Sequence, residues 1–278
     1  MEKILVTTDL SVNSKAGIRF AMELAKQRKA ELIVLHVFHV LKATSWSAEK
    51  YQYYIQRTEE NISQELSSFI KGVRRAPNIA KGDYKIALLH TLDTVPGIIS
   101  YAKQHGCAYI CISTRGAGAV KKIFGTHTSD LITHSPIPVI SVPSNWRLTP
   151  VKWVLYATDL KDYAVELKKV VAFAGRLKAR LEMLHLIYTD EIIPDKKLAE
   201  KSLKAEVHYP VSVNYKKINI ENTILEEIDS VMEKVKPSVL VLFTHQNRSM
   251  IDRILFPSVA EEYCFSGKTP LLTFNKKD

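Results

Sequence analysis

Short runs in which nearly every residue is apolar alternate along this chain with longer stretches in which apolar residues return every third or fourth position. In the first half the short runs are Lys3–Thr8, Glu31–Phe38, Tyr84–Leu89, Tyr109–Thr114 and Pro138–Val142. They are rich in Val, Ile and Leu at successive positions, the pattern of parallel strands covered on both sides. Segments between them, such as "SKAGIRFAMELAKQRKA" and "DTVPGIISYAKQHG", carry the helical period. The second of these ends in a glycine suited to a left-handed helix cap. The second half repeats the alternation, with runs at Trp153–Thr158, Arg180–Tyr188, Val211–Ile218, Val239–Thr244 and Pro270–Phe274. Such alternation predicts an α/β fold: two tandem, open, parallel five-stranded sheets of Rossmann-like type, with helices on both faces.

The two halves share residues as well as period. "KILVTTDLS" at Lys3 returns as "KWVLYATDLK" at Lys152, which sets Asp9 on Asp159 at an offset of 150. His36 falls on His185 at 149, and Thr126 and Pro138 fall on Ser258 and Pro270 at 132. The lost residues lie after the second strand, where "SAEKYQYYIQRTEENISQELSSFIKGV" faces the shorter "DKKLAEKSLKA". The longer segment reads as an amphipathic helix covering the sheet; its tyrosines Tyr51, Tyr53 and Tyr54 leave a partner surface or lid as the alternative. Two domains are expected, residues 1–144 and 150–278, joined through "SNWRLTP".

Composition narrows the setting. A chain of 278 residues suits two domains, and 46% hydrophobic residues suffice for two cores. No apolar run approaches the roughly 20 residues of a membrane span, and "MEKILVTTDL" does not read as a secretory signal. Three cysteines, Cys107, Cys111 and Cys264, form no disulfide framework and no CxxC pair, which points to the cytoplasm. The net charge of +10 admits anionic partners, but the lysines are scattered and not interleaved with aromatics. They read as solvated helix faces, so neither a nucleic acid nor a membrane is expected as a partner.

Candidate chemistry lies where open α/β sheets bind ligands, at the carboxyl ends of their strands. Asp9 follows the first strand, next to Thr7 and Thr8. "STRGAGAVKKIFGTHTS" follows the fourth and runs into a helix expected to begin near Thr126. Helix N-termini present unpaired N–H groups to anions. Gly116, Gly118 and Gly125 would let the backbone approach a phosphate, Thr126 and Thr128 add hydroxyls, and Arg115 adds charge.

The two-half layout, "TTDLS" after the first strand, "LHV" at the end of the second and the glycine loop before "PVISVP" resemble the universal stress protein family in its tandem form. Nucleotide-binding members carry a loop of the form G-x2-G-x9-G-(S/T). Here Ser113 stands at the first glycine, Gly116 at the second, and Gly125 and Thr126 at the third glycine and hydroxyl, with an interval one residue short. The resemblance implies that Asp9, with Thr7, Thr8 and Val37, meets the nucleoside, and that the loop meets the phosphates. The implied ligand is ATP or a related adenine nucleotide, with Mg. It also implies pairing of the two last strands into an intrachain pseudo-dimer, with a homodimer as a further possibility.

The second half provides an internal control. Its matching loop, "FTHQNRSMIDRILFPSVAEEY", has no glycine; Arg248, Met250 and Pro257 stand where Gly116, Gly118 and Gly125 stand in the first. Proline has no N–H for a phosphate. Nucleotide binding is therefore expected in the first half alone. Asp159 persists nonetheless, so Asp9 has two open roles, nucleoside contact and helix N-cap. Recurrence of His36 as His185 favours a structural hydrogen bond. Two rivals to nucleotide-binding regulation stay open: a scaffold that binds no nucleotide, and a slow ATPase, for which no base, metal-binding acid pair and nucleophile gather near the loop. No catalytic residue is assigned.

Overall fold

The computed structural model describes residues 1–74, 83–114, 126–187, 192–219, 221–245 and 259–276. Its strands are β1 (Lys3–Thr7), β2 (Glu31–Phe38), β3 (Tyr84–His90), β4 (Cys107–Thr114) and β5 (Val139–Pro143), then β6 (Trp153–Thr158), β7 (Arg180–Ile187), β8 (Val211–Lys217), β9 (Val239–His245) and β10 (Leu271–Lys276). The described helices are α1 (Ser14–Arg28), α2 (Ala48–Arg74), α3 (Thr94–Gln104), α4 (Thr126–His134), α5 (Tyr163–Leu177), α6 (Lys196–Val207), α7 (Ile224–Val235) and α8 (Val259–Ser266). The chain is α/β, with helices on both faces of the strands.

The strands join into one ten-stranded sheet, in the order β3-β2-β1-β4-β5-β10-β9-β6-β7-β8. The two five-stranded halves expected from the sequence are thus continuous through their last strands, β5 and β10. The junction is antiparallel, with Leu271, Leu272 and Thr273 opposite Ser141, Ile140 and Val139. Every described residue of β5 is buried. Left as an edge, that strand would expose unpaired backbone groups, and β10 supplies their partners. All other pairings are parallel. The strands of one half therefore run opposite to those of the other, and the carboxyl ends of the two halves lie at opposite edges of the sheet.

Strand side chains alternate between two cores. Ile4, Val6, Leu32 and Val34 face α1 and α2, whereas Leu5, Ile33 and Leu35 face α3 and α4. Burial on both faces is why these runs are apolar at successive positions. A polar contact locks α1 to α5 beside the strand junction. Arg28, its side chain 1% exposed, pairs with Glu2 at 2.7 Å and donates to the Phe173 carbonyl at 2.9 Å. Its guanidinium lies over the rings of Tyr109 and Phe173. Glu2 also meets Arg176 at 3.3 Å. Burial opposes the Glu2 charge, but its bonds to Arg28 and Arg176 prevail and hold its pKa below the usual value.

Candidate functional site at the strand ends

Strand order reverses between β1 and β4: β1 leads through α1 to β2 on one side, and β3 leads through α3 to β4 on the other. The crevice of an open sheet forms at such a point. Its described walls are the residues after β1, the end of β2 at Val37, the end of β4 at Ser113 and Thr114, and the start of α4.

A compact turn shapes the β1 wall. The Leu10 N–H donates to Thr8 Oγ1 at 3.1 Å, and the Ser11 N–H donates to Asp9 Oδ1 at 3.0 Å. Between them Leu10 adopts φ 62°, a left-handed conformation that disfavours a branched side chain. The second half builds the same turn: Leu160 has φ 63°, and the N–H groups of Leu160 and Lys161 bond Thr158 Oγ1 and Asp159 Oδ1 at 3.0 and 3.1 Å. The repeated Thr-Asp-Leu thus encodes a backbone turn. Neither aspartate caps a helix, because α1 begins five residues after Asp9, with Asn13 at its N-cap position. That part of the structural expectation is corrected: the carboxylate closes its own turn.

Histidines brace the turns. His36 Nδ1 lies 2.8 Å from the Thr8 carbonyl, and His185 Nδ1 lies 3.2 Å from the Thr158 carbonyl. A carbonyl only accepts, so each Nδ1 carries the hydrogen. Behind the turn, the Thr8 and Ser14 hydroxyls meet at 2.7 Å.

Thr7 and Thr8 are buried, Asp9 is exposed and Val37 is partly buried. Partial burial works against the Asp9 charge, but hydrogen bonds from the Ser11 hydroxyl, the Ser11 and Asp9 N–H groups and the Ser14 hydroxyl outweigh it. The carboxyl therefore titrates below its ordinary value. Asp9 has no ion-pair partner among the described residues.

Ser113, at the position of the first motif glycine, turns toward α1. Its hydroxyl accepts from the Gly17 N–H at 2.7 Å and donates to the Ser14 carbonyl at 3.2 Å. A Cβ at Gly17 would stand 2.6 Å from that hydroxyl and 3.2 Å from the Ser113 nitrogen, so this approach of α1 to β4 requires glycine. The structure starts α4 at Thr126 and buries Thr128. Arg115, Gly116, Gly118 and Gly125 lie outside the described residues, as do Arg248, Met250 and Pro257.

The equivalent place in the second half holds a charged cluster that the sequence reading missed. Lys276 Nζ stands 2.8 Å from Glu166 Oε1, 3.3 Å from Asp162 Oδ2 and 3.7 Å from Asp159 Oδ1. The Tyr156 hydroxyl donates to Glu166 Oε2. Lys276 and Glu166 are 10% and 4% exposed at their side chains. Burial opposes the Lys276 charge, but the hydrogen bond and charge of Glu166, with Asp159 and Asp162, raise its pKa. At the repeat offsets the first half has Val6, Ala16 and Ser144 for Tyr156, Glu166 and Lys276. Three coordinated changes from small or apolar to polar residues were the available signal, and they emerge only once β10 is aligned with β5.

Among the described residues there is no cluster of three or more His, Cys, Asp or Glu that could hold a metal. Nor does any described helix have the length and apolar character to cross a membrane. The described cysteines are buried, and burial pushes the thiols of Cys107 and Cys111 above their usual pKa.

An open sheet with a strand-order switch, a Thr-Asp-Leu turn after β1 and a helix entering after β4 defines a Rossmann-like, doubly wound α/β domain class. The universal stress protein family model matches residues 1–143, and the chain belongs to that family. A universal stress protein from Archaeoglobus fulgidus DSM 4304 shares its fold over 99% of this chain and 98% of that one, with a TM-score of 0.70 and 20% identity. A functionally unknown protein from Pseudomonas aeruginosa PAO1 does so over 99% of this chain and 92% of that one, with a TM-score of 0.57 and 15% identity. A search of curated proteins finds no match.

Proposed function

We propose that the chain is a regulatory protein that binds ATP or a related adenine nucleotide in its first half alone, the second half serving as a partner-binding or structural copy. The observation that carries this reading is the contrast between two equivalent aspartates. Asp9 stands exposed with no ion-pair partner among the described residues, whereas Asp159 lies 3.7 Å from Lys276, inside a cluster closed by Glu166. A nucleotide entering the second half would have to displace a buried ion pair, which is strongly unfavourable. In the first half Asp9 and the start of α4 flank the crevice, and the sequence keeps the second and third glycines of the family's nucleotide motif, Gly116 and Gly125, with Ser113 at the first and one interval a residue short. On this reading Asp9, Thr7, Thr8 and Val37 serve the nucleoside, while Arg115, Gly116, Gly118, Gly125, Thr126 and Thr128 serve the phosphates.

Ser113 contributes from behind by fixing α1 to β4, since its hydroxyl is already bonded on both sides. Mg2+ would arrive with the triphosphate, ligated by phosphate oxygens and water, because the described residues provide no metal cluster. The two units would be residues 1–144 and 150–278, joined through β5 and β10 as an intrachain pseudo-dimer; further self-association and a cytoplasmic setting belong to the same proposal.

Calorimetric titration with ATP tests this reading. One nucleotide per chain is expected, with binding abolished by Gly125→Pro, which copies the second-half loop, and retained in Asp159→Ala. Two per chain would overturn the asymmetry. Withdrawal of the Ser113 hydroxyl into α1 favours a second reading, a scaffold that binds no nucleotide, and the absence of a melting shift at millimolar ATP would establish it. Turnover is a third outcome, read as phosphate release that disappears when Gly125 and Asp9 are replaced.

A further inference from the structure

Strands β3 and β8 close the two ends of the ten-stranded sheet, so each has a neighbouring strand on one side only. They hold equivalent places in the two halves, with Tyr84 and Ile86 corresponding to Val211 and Val213. In a parallel ladder alternate residues of a strand bond its neighbour, and the rest turn their N–H and C=O groups the other way. The Thr91 N–H bonds the Phe38 carbonyl, and the Ile218 N–H bonds the Ile187 carbonyl. The backbone groups of Tyr84, Ile86, Leu88 and His90 therefore point outward from β3, as those of Val211, Val213, Tyr215 and Lys217 do from β8.

The β8 edge is defended. The Glu200 carboxylate accepts the outward Val213 N–H at 2.9 Å. Val211 and Val213 are buried, and the strand ends in Lys216 and Lys217. Among the described residues nothing comparable protects β3: none bonds the outward backbone groups of Ile86 or Leu88. Every residue of β3 is at least partly exposed, although Ile86, Ala87, Leu88 and Leu89 are apolar. Its one lysine, Lys85, is engaged with Glu31 at 2.8 Å. An undefended apolar edge of this kind is a template for a further strand.

The strand is chemically complementary to itself. Antiparallel pairing about a two-fold axis through Ala87 uses all 7 of its residues. Ile86 then falls opposite the second copy's Leu88, and Tyr84 opposite its His90, each pair able to exchange two backbone hydrogen bonds. Lys85 falls opposite Leu89, so no like charges meet, and the two small Ala87 side chains share the axis. The chain already joins its own halves by antiparallel pairing of β5 with β10. We propose that β3 pairs in this register with β3 of a second copy, continuing the sheet across a homodimer. This assigns a surface to the self-association in the proposed function; it rests on that part alone and not on nucleotide binding.

Cross-linking of the whole chain tests the register. Opposed residues of a non-hydrogen-bonded antiparallel pair have Cα atoms about 4.5 Å apart, within disulfide range. Ala87→Cys should therefore give a disulfide-linked dimer under mild oxidation. Lys85→Cys should not, since its two copies would stand about 13 Å apart along the ladder. The native cysteines are buried and do not compete. Leu88→Pro removes an outward N–H from each copy and leaves the bonds to β2 in place. Sedimentation velocity should show its dimer weakened at least about tenfold, because two interface hydrogen bonds are lost. A parent chain that stays monomeric at millimolar concentration overturns self-association altogether. A dimer that Ala87→Cys fails to link, that Lys85→Cys links as readily, or that Leu88→Pro leaves unweakened is built on another surface and overturns this assignment alone. Neither result alters the ATP titration, which tests the nucleotide reading separately.

Discussion

At the end of β1 the chain ties its backbone into a Thr-Asp-Leu turn, and 150 residues later it ties the same turn again at the end of β6. What surrounds the two turns differs. In the first half Val6 and Ala16 pack behind Asp9, both fully buried, and Gly17 lets Ser113 reach the α1 backbone. In the second half Tyr156, Glu166 and Lys276 occupy the corresponding places and draw Asp159 into an ion-pair cluster. Local sequence maintains the turn in both halves, whereas long-range partners decide whether the aspartate beside it faces a crevice or a lysine. An aspartate in this motif is therefore no evidence of a ligand; the informative property is that no described residue forms an ion pair with Asp9, whereas Lys276 does so with Asp159.

The largest effect should come from removing the lysine that closes the second half. Lys276→Met leaves Glu166 buried against Tyr156 without its cation, which should destabilise the chain by about 3–5 kcal/mol in urea unfolding. Glu166→Gln added to Lys276→Met should recover part of that loss, because the buried charge goes too. The pH dependence has a definite sign. Lys276 has its pKa raised above the ordinary 10.5, so its contribution is fully present below that value and is lost as pH climbs through the folded value. The difference in stability between the parent chain and Lys276→Met should therefore shrink in strong alkali and stay constant between neutral pH and pH 9. A loss below 1 kcal/mol at neutral pH would show that the cluster is solvated and that the second crevice is not closed by it.

Next in size is the close contact specific to the first half. Gly17→Ala places a Cβ 2.6 Å from the Ser113 hydroxyl. That hydroxyl is held by two hydrogen bonds and cannot swing away freely, so the substitution should cost about 1–3 kcal/mol. Ser113→Gly removes the obstructing atom, and the double variant should be more stable than the sum of the single losses predicts. At the Gly17 position the second half has Leu167, fully buried in its core, so no such close approach exists there. Purely additive losses would mean that α1 and β4 move apart independently of Ser113.

These contrasts mark what the sequence discloses. Strands and helices were legible because burial on both faces imposes apolar runs, and helix period separates them; the helix expected after β4 is present over Thr126–His134. The recurrence of His36 and His185 pointed correctly to structural hydrogen bonds. The joining of β5 to β10 had its basis in family resemblance, since the apolar run Val139–Val142 does not name its neighbour. Contacts between residues far apart in sequence were not legible. Ser113 and Gly17 are 96 positions apart, and Arg28 reaches across 145 to Phe173. A glycine inside a helix, or an arginine at its end, has no sequence signature naming its partner. Lys276 likewise looked like one of many scattered lysines, although it is among the least exposed ones in an ion pair.

The smallest effect isolates the charge of Asp9 from its turn. Asn keeps an oxygen that can accept the Ser11 N–H, so Asp9→Asn should change stability by no more than about 0.5 kcal/mol near neutral pH. Asp9 has its pKa lowered, hence its charge contributes stability above the ordinary value of 3.8, and this is lost as pH falls through the folded value. The parent chain and Asp9→Asn should therefore converge in acid. In Asp159→Asn the turn oxygen is likewise kept, but a carboxylate 3.7 Å from Lys276 disappears, so this variant should lose more than its first-half counterpart. The order of the two losses, read from paired urea titrations at pH 7, bears directly on the comparison. Equal losses would mean that Lys276 ignores Asp159 and that the two strand ends differ less in charge than in shape; a larger loss at Asp9 would mean that the first crevice contains a cation bound to it.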